Sequence, residues 1–263
     1  MIINFSKYQG TGNDFVMIDN REGNFPKYDQ KLIAFLCHRR FGIGADGLIL
    51  LESVENYDFR MVYYNSDGNE SSMCGNGGRC VVAFAKQLGI ISDRTFFIAT
   101  DGEHSAQINK EGEVQLQMKN VEVIQVEKDY IFLDTGSPHH VQVVDNVDEI
   151  NVDTEGAKIR YGELYKDKGG SNVNFVNQQN KNTFNIRTYE RGVEAETYSC
   201  GTGATAVAIS MHHIGKTTNN EVYLQTLGGN LKVFFERKEK GYEKVYLCGA
   251  ATFVFEGNFE VKL

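Results

Sequence analysis

The chain is predicted to be an α/β (α+β) protein of two structurally similar domains related by a pseudo-twofold axis. Each domain is expected to be a curved, mainly antiparallel sheet wrapped around a central helix. Three observations carry this expectation: the chain repeats itself at a fixed offset, short strand-like runs are spread over both halves, and each half holds one helical segment that is apolar on most sides.

The repeat is clearest between Cys-Gly-Asn-Gly-Gly-Arg-Cys-Val-Val-Ala at 74–83 and Cys-Gly-Thr-Gly-Ala-Thr-Ala-Val-Ala-Ile at 200–209, an offset of 126 residues. The same offset pairs Gly89 with Gly215, Thr100 with Thr226 and Gly102 with Gly228. Just before each cysteine, YYNSDG and TYERG correspond with a one-residue gap. One such match can arise by chance, but several in order at one offset indicate two copies of one fold. The strand-like runs are FVMID, GLILLE, FRMVYY and VQLQM in the first half, and NVNFVN, TFNIRTY, VYLQT and KVFFE in the second. Residues 79–88 and 205–214 place Val81, Val82, Phe84, Ala206, Val207, Ile209 and Met211 around most of a helix, so each segment is expected to be buried inside its sheet. Asp29 to Arg40 reads as a surface helix, with an Asp cap, Leu32, Ile33, Phe35 and Leu36 turned inward, and Gly42 as the stop. The expected domains are 1–120, joined by the last strand at 250–263, and 121–249.

At 263 residues the length suits one large domain or two of about 130 residues each. A net charge of −8 argues against nucleic acid and against an anionic membrane surface. The N-terminus has no apolar core of signal-peptide length, and no run approaches the ~20 apolar residues of a membrane span. Five cysteines without a CxxC read as reduced, which points to a cytoplasmic protein without zinc.

The repeated Cys-Gly-x-Gly carries the chemistry. A helix N-terminus bears partial positive charge and N–H groups outside the helix ladder, and a cysteine placed there is acidified. Gly75, Asn76, Gly201 and Thr202 can offer backbone N–H donors to a carboxylate. Brought together about the pseudo-twofold axis, Cys74 and Cys200 would stand on opposite sides of one α-carbon. One thiolate would remove its proton, and the other thiol would protonate the opposite face. A single cysteine in an apolar helix is more often a small buried hydrophobe, and Cys37, Cys80 and Cys248 are read that way. The matched pair differs because packing alone does not require the same glycines twice. No Walker A motif, no dinucleotide fingerprint and no metal-ligand cluster is present, so neither a cofactor nor a metal is expected.

At these residues the chain resembles the diaminopimelate epimerase family. GTGNDF, GIGADG, YNSDG, MCGNGGRC, NVNF, YERG and SCGTGA stand in the family's order over nearly the whole chain. The resemblance implies a cofactor-independent isomerase that interconverts LL-2,6-diaminopimelate and meso-diaminopimelate in lysine biosynthesis, and it implies a homodimer. It implies that Cys74 and Cys200 are catalytic, that His139 and Glu190 tune the thiols, and that Gly75, Asn76, Gly201 and Thr202 cradle the reacting carboxylate. It further implies that Asn13, Asn65, Asn174, Glu190 and Arg191 bind the amino groups and the far carboxylate. Taken singly, Asn13 and Asn65 could be turn residues beside glycines, and Arg191 could sit in a surface ion pair. His139 and His140 alternate along a strand, so one of them is expected to face outward. Two positions depart from the family pattern: Ser137 stands where many members have asparagine, and Gly47 where some have glutamine. The alternatives are a racemase or isomerase of another amino acid on the same fold, and a thiol redox or binding protein.

Overall fold

The structure is a computed structural model and describes residues 1–71 and 73–261. The chain forms two compact units, one of Met1–Leu116 with the segment from Ala250 onward, and one of Gln117–Gly249. The first unit contains β1 (Ile2–Gly10), β2 (Asn13–Asp19), α1 (Gln30–Cys37), β3 (Gly47–Glu52), β4 (Phe59–Asn65), β5 (Glu70–Ser71), α2 (Gly75–Gln87), β6 (Arg94–Ala99), β7 (Gly102–Ile108) and β8 (Glu113–Gln117). Its ladders run β1–β2 antiparallel, β2–β3 parallel, β3–β4 and β4–β5 antiparallel, β4–β6 parallel, then β6–β7 and β7–β8 antiparallel.

The second unit contains β9 (Ile124–Val126), β10 (Ile131–Asp134), β11 (Pro138–Val143), α3 (Val152–Tyr161), β12 (Asn172–Gln178), β13 (Thr183–Glu190), β14 (Ala195–Thr197), α4 (Gly201–His213), β15 (Glu221–Thr226), β16 (Gly229–Arg237) and β17 (Tyr242–Ala250). From β10 to β17 the ladders repeat the sequence of the first unit, parallel pairs included: β10–β11 antiparallel, β11–β12 parallel, β12–β13 and β13–β14 antiparallel, β13–β15 parallel, β15–β16 and β16–β17 antiparallel. The final strand, β18 (Thr252–Glu260), pairs antiparallel with β1, and β9 takes the matching place beside β10.

The two central helices agree to the residue. Each is 13 residues long, starts directly after its cysteine and ends at equivalent positions. After α2, Gly89 N–H bonds Lys86 O and Ile90 N–H bonds Ala85 O; after α4, Gly215 bonds His212 O and Lys216 bonds Met211 O. Gly89 and Gly215 are both left-handed, with φ of 71° and 76°, which is what ends the helix there. Further on the offset slips by one. β7 begins at Gly102 and β16 at Gly229, each opposite the last residue of the strand before it, so Gly102 corresponds to Gly229 and not to Gly228.

α2 packs against β1, β2, β3 and β7, and α4 against β10, β11, β12, β13, β15 and β16. This enclosure explains why Cys80, Val81, Val82 and Ala85, and Ala204 through Met211, are buried. β3 is buried at every residue because α1 and α2 both pack against it, which accounts for its unbroken Gly-Leu-Ile-Leu-Leu run. α1 is shorter than its sequence suggests. Asp29 caps Leu32 N–H at 3.0 Å, but the helix stops at Cys37, where His38 turns extended. Ile43 and Gly44 N–H both bond Leu36 O, folding the chain back, and Arg39 leaves the helix to join Asp14 and Asp46. Phe35, expected inward, is 41% exposed and lies edge-on to Phe259. Among the described residues no helix is long and apolar enough to cross a membrane.

Candidate active site

Each unit carries a candidate cluster at the start of its central helix. In the first unit Cys74 is the residue before α2, in extended conformation (φ −90°, ψ 132°), and its side chain does not cap the helix. Gly78 N–H bonds Cys74 O at 2.7 Å, so the N–H groups of Gly75, Asn76 and Gly77 lie outside the i→i−4 ladder. The Cys74 thiol is 3.7 Å from Asn13 Oδ1. Asn76 is buried; its Nδ2 reaches Asn13 Oδ1 at 3.5 Å, and its Oδ1 accepts from Arg79 at 3.1 Å. Arg79 is fully buried one helical turn in and also donates to Thr11 Oγ1 at 3.0 Å and to Gly75 O at 3.3 Å.

Asn13 opens β2, and its Nδ2 donates to Asp46 Oδ2 at 2.7 Å. Asp46 is held in turn by Arg39 at 2.7 Å, and neighbouring Asp14 by Arg39 at 2.6 Å and Lys7 at 2.7 Å. Burial alone would raise the Asp14 carboxyl, but the bonds from Arg39 and Lys7 hold it far below the ordinary carboxylate range. Asn65 is exposed at the end of β4, directly opposite Gly47 of β3. A Cβ at Gly47 would come within 2.6 Å of both the Tyr63 ring and Tyr64 O, so Tyr63 occupies the space a side chain there would need. Cys37 and Cys80 are buried, and burial pushes both thiols up to about 12, which makes them poor nucleophiles at neutral pH.

The second half is built on the same plan from different side chains. Cys200 precedes α4 in extended conformation (φ −123°, ψ 116°) and is 7% exposed. Ala204 N–H bonds Cys200 O at 2.8 Å, as Gly78 does in the first half. Thr202 Oγ1 lies 3.4 Å from the Cys200 sulfur, and Thr202 O accepts from Thr135 Oγ1 at 2.9 Å. Gly203 is required by close approach: a Cβ there would stand 2.4 Å from Asn174 Oδ1.

Asn174 is fully buried. Its Nδ2 donates to His140 O at 3.0 Å and meets His139 Nδ1 at 3.1 Å, while its Oδ1 accepts from Thr188 at 3.0 Å. This side chain, expected to bind substrate, is thus occupied in orienting His139 within the unit. Because the amide NH2 can only donate, His139 Nδ1 is an acceptor and the ring proton sits on Nε2, a buried atom without a protein partner. Burial lowers the His139 pKa to about 3, and Arg191 pushes the same way against Asp134, so the ring is neutral. One of the two histidines is expected to face outward, but neither does: His140 is 4% exposed, Tyr130 stacks on it at 4.6 Å and Tyr165 OH bonds its Nδ1 at 2.9 Å. Strand alternation does put it on the opposite face, but aromatic side chains cover that face.

A third cluster gathers the ends of β11, β12 and β13. Ser137 Oγ receives Asn172 Nδ2 at 2.9 Å and Arg191 Nη2 at 3.3 Å, and Asn172 Oδ1 accepts the Arg191 backbone N–H at 2.9 Å. Ser137, although shorter than asparagine, is therefore built into the Arg191 seat. Glu190 Oε2 accepts from Thr197 Oγ1 at 3.0 Å. Asn172, Thr188, Arg79 and Asp46 were not singled out from the sequence. Asn172 could have been, since strand alternation places it on the same face as Asn174. Among the described residues no group of three or more His, Cys, Asp or Glu is arranged to hold a metal ion.

Comparison with known proteins gives the family and agrees with the fold. The family model for diaminopimelate epimerase matches residues 5–124 and 131–254. A curated diaminopimelate epimerase of Flavobacterium psychrophilum is 60% identical over 95% of this chain and 97% of its own length. One of Aquifex aeolicus is 38% identical over 96% of each chain. Among solved structures, a phenazine biosynthesis protein of the PhzF family from Bacillus anthracis superposes with a TM-score of 0.79 at 14% identity, covering 99% of this chain and 100% of its own. A hydroxyproline epimerase from Agrobacterium vitis superposes with a TM-score of 0.70 at 13% identity, covering 98% and 92%. These two share the fold; the sequence relationship decides the family, and the chain belongs to the diaminopimelate epimerase family.

Proposed function

We propose that this chain interconverts LL-2,6-diaminopimelate and meso-diaminopimelate in lysine biosynthesis, with Cys74 and Cys200 as the two acid/base groups of one epimerisation. The observation that carries the reading is the pairing itself: two topologically equivalent units each place a cysteine at the N-cap of a 13-residue central helix. One thiolate takes the α-proton, so an S–H bond forms as the C–H bond breaks, and charge builds on the substrate carboxylate. The N–H groups of Gly75, Asn76, Gly201 and Thr202 stabilise that charge. The other thiol delivers its proton to the opposite face of the carbanion. The step needs no cofactor.

Glu190 and the neutral His139, with its proton on Nε2, act on the thiols. Arg191, seated by Ser137 and Asn172, takes the distal carboxylate, and a guanidinium can grip it with two hydrogen bonds. Asn13, Asn65, Asn174 and Glu190 face the amino groups, and Asn174 also orients His139. The protein works in the cytoplasm as a homodimer. β18 supports the dimer, since it leaves Phe253, Val254 and Phe255 43%, 50% and 46% exposed on consecutive residues and hence on both of its faces. The test is a coupled assay on LL-diaminopimelate with and without a thiol alkylator. Turnover that the alkylator abolishes is expected. Absence of turnover on diaminopimelate, with racemisation of another amino acid, would move the chain to the alternative reading.

A further inference from the structure

We propose that Asp46 is a positioning residue that fixes the Asn13 amide with its carbonyl oxygen toward Cys74, so that this half of the site accepts a hydrogen bond and favours the protonated thiol. The proposal rests on the reading of Cys74 as an acid/base group. Amide orientation is ordinarily ambiguous because oxygen and nitrogen have the same shape. Here ions fix it from both ends. Asp46 takes Arg39 Nη2 at Oδ1 and the Asp14 backbone N–H at Oδ2, so both of its oxygens accept and it is the Asn13 Nδ2 end that lies 2.7 Å from Asp46 Oδ2. At the other end, Arg79 can only donate, so Asn76 turns its Oδ1 to the guanidinium and its Nδ2 to Asn13 Oδ1. The polarity of the whole relay, Arg39–Asp46–Asn13–Asn76–Arg79, is thereby forced. The one Asn13 atom left to face the Cys74 sulfur, at 3.7 Å, is an acceptor.

An acceptor beside sulfur stabilises S–H over the thiolate and raises the pH at which the thiol ionises. The titratable and charged groups near Cys74 on the surrounding elements include Lys7 on β1, Asp14 on β2, Arg39 after α1, Arg79 and the buried Cys80 on α2, and Asp101, which accepts Met73 N–H at 3.3 Å and lies 3.2 Å from His104. In D46A Arg39 loses one carboxylate and keeps Asp14, and a double-mutant cycle separates such through-space effects from the amide orientation.

The experiment measures the pH midpoint of iodoacetamide labelling at Cys74 by peptide mass spectrometry, with Cys200 as internal reference. D46A should lower the Cys74 midpoint by about 0.5–1 pH unit, the scale of one hydrogen bond. N13A should lower it similarly, and D46A added to N13A should produce no further shift. An unmoved midpoint in D46A, or a D46A shift that persists in the N13A background, would overturn the role of Asp46. If D46A does not fold by circular dichroism, N13A alone decides, because a rising midpoint would mean that the donor end of the amide had faced the sulfur. Turnover on LL-diaminopimelate is followed in the same samples. Normal wild-type turnover with unmoved midpoints would remove Asp46 only, whereas absent wild-type turnover would remove the functional reading and leave the labelling cycle to judge Asp46.

Discussion

At the scale of single residues, Cys74 and Cys200 stand in the same glycine frame at equivalent helix starts, and each is surrounded by side chains that this frame does not mark. Arg79 looks in the sequence like one more polar residue of MCGNGGRC, yet it is fully buried and holds Asn76 in place. Asp46 looks like a loop acid, and its effect on Cys74 runs through Asn13, 33 residues away in sequence. Such roles depend on long-range contacts that spacing cannot reveal. Arg191 carries a prediction of its own. Lysine keeps the charge but loses the fork and the Ser137 contact, so R191K should lower kcat/KM for diaminopimelate ~10–100-fold, the loss of one strong charge-assisted bond, with thermal stability unchanged. Near-normal kinetics in R191K would take Arg191 out of the site. Each of C74A and C200A should abolish epimerisation, since each removes the proton carrier of one face.

At the scale of elements, strand period and helix caps were read correctly where local chemistry decides them, and α1 was overestimated where a tertiary ion cluster does. Arg39 supplies a plausible last helical turn in sequence, but Asp14 and Asp46 draw it out of the helix. The start of α4 tolerates little, because a methyl group at Gly203 would press on Asn174 Oδ1, an atom already bound by Thr188. G203A should destabilise the fold by about 1–3 kcal/mol through overpacking, measured by chemical denaturation. β11 predicts a pH dependence. Burial lowers His139 to about 3 and His140 to about 4, against 6.5 for an ordinary histidine. Below about pH 6.5 the unfolded chain takes up protons that the folded state refuses, so stability should be full above pH 7 and should fall progressively toward pH 4. H140Q should flatten this slope. An equal pH slope in wild type and H140Q would show that His140 is not responsible.

At the scale of the whole molecule, the duplication was the most informative feature of the sequence, because matching glycines and cysteines at one offset require matching backbone. The structure extends the match to the order and direction of the strand ladders, which no residue pattern states. It also corrects the register by one residue between Gly102 and Gly229, where both strands restart after two-residue turns. The exposed β18 gives the assembly prediction. On the proposed homodimer, wild type should sediment as a dimer and V254D as a monomer; a monomeric wild type would remove the dimer, and a dimeric V254D would take β18 out of its contact. The central claim is that two different thiols, one from each unit, serve a single α-carbon. It is tested most directly by running the reaction from LL-diaminopimelate in D2O and stopping it early. The delivered proton comes from a thiol equilibrated with solvent, so early product should carry deuterium at the inverted carbon. Recovered substrate should carry little, because reversal returns the abstracted proton from the same sulfur. Substantial original hydrogen in early product would mean that one base serves both faces, and would contradict the assignment of Cys74 and Cys200 as opposed acid and base.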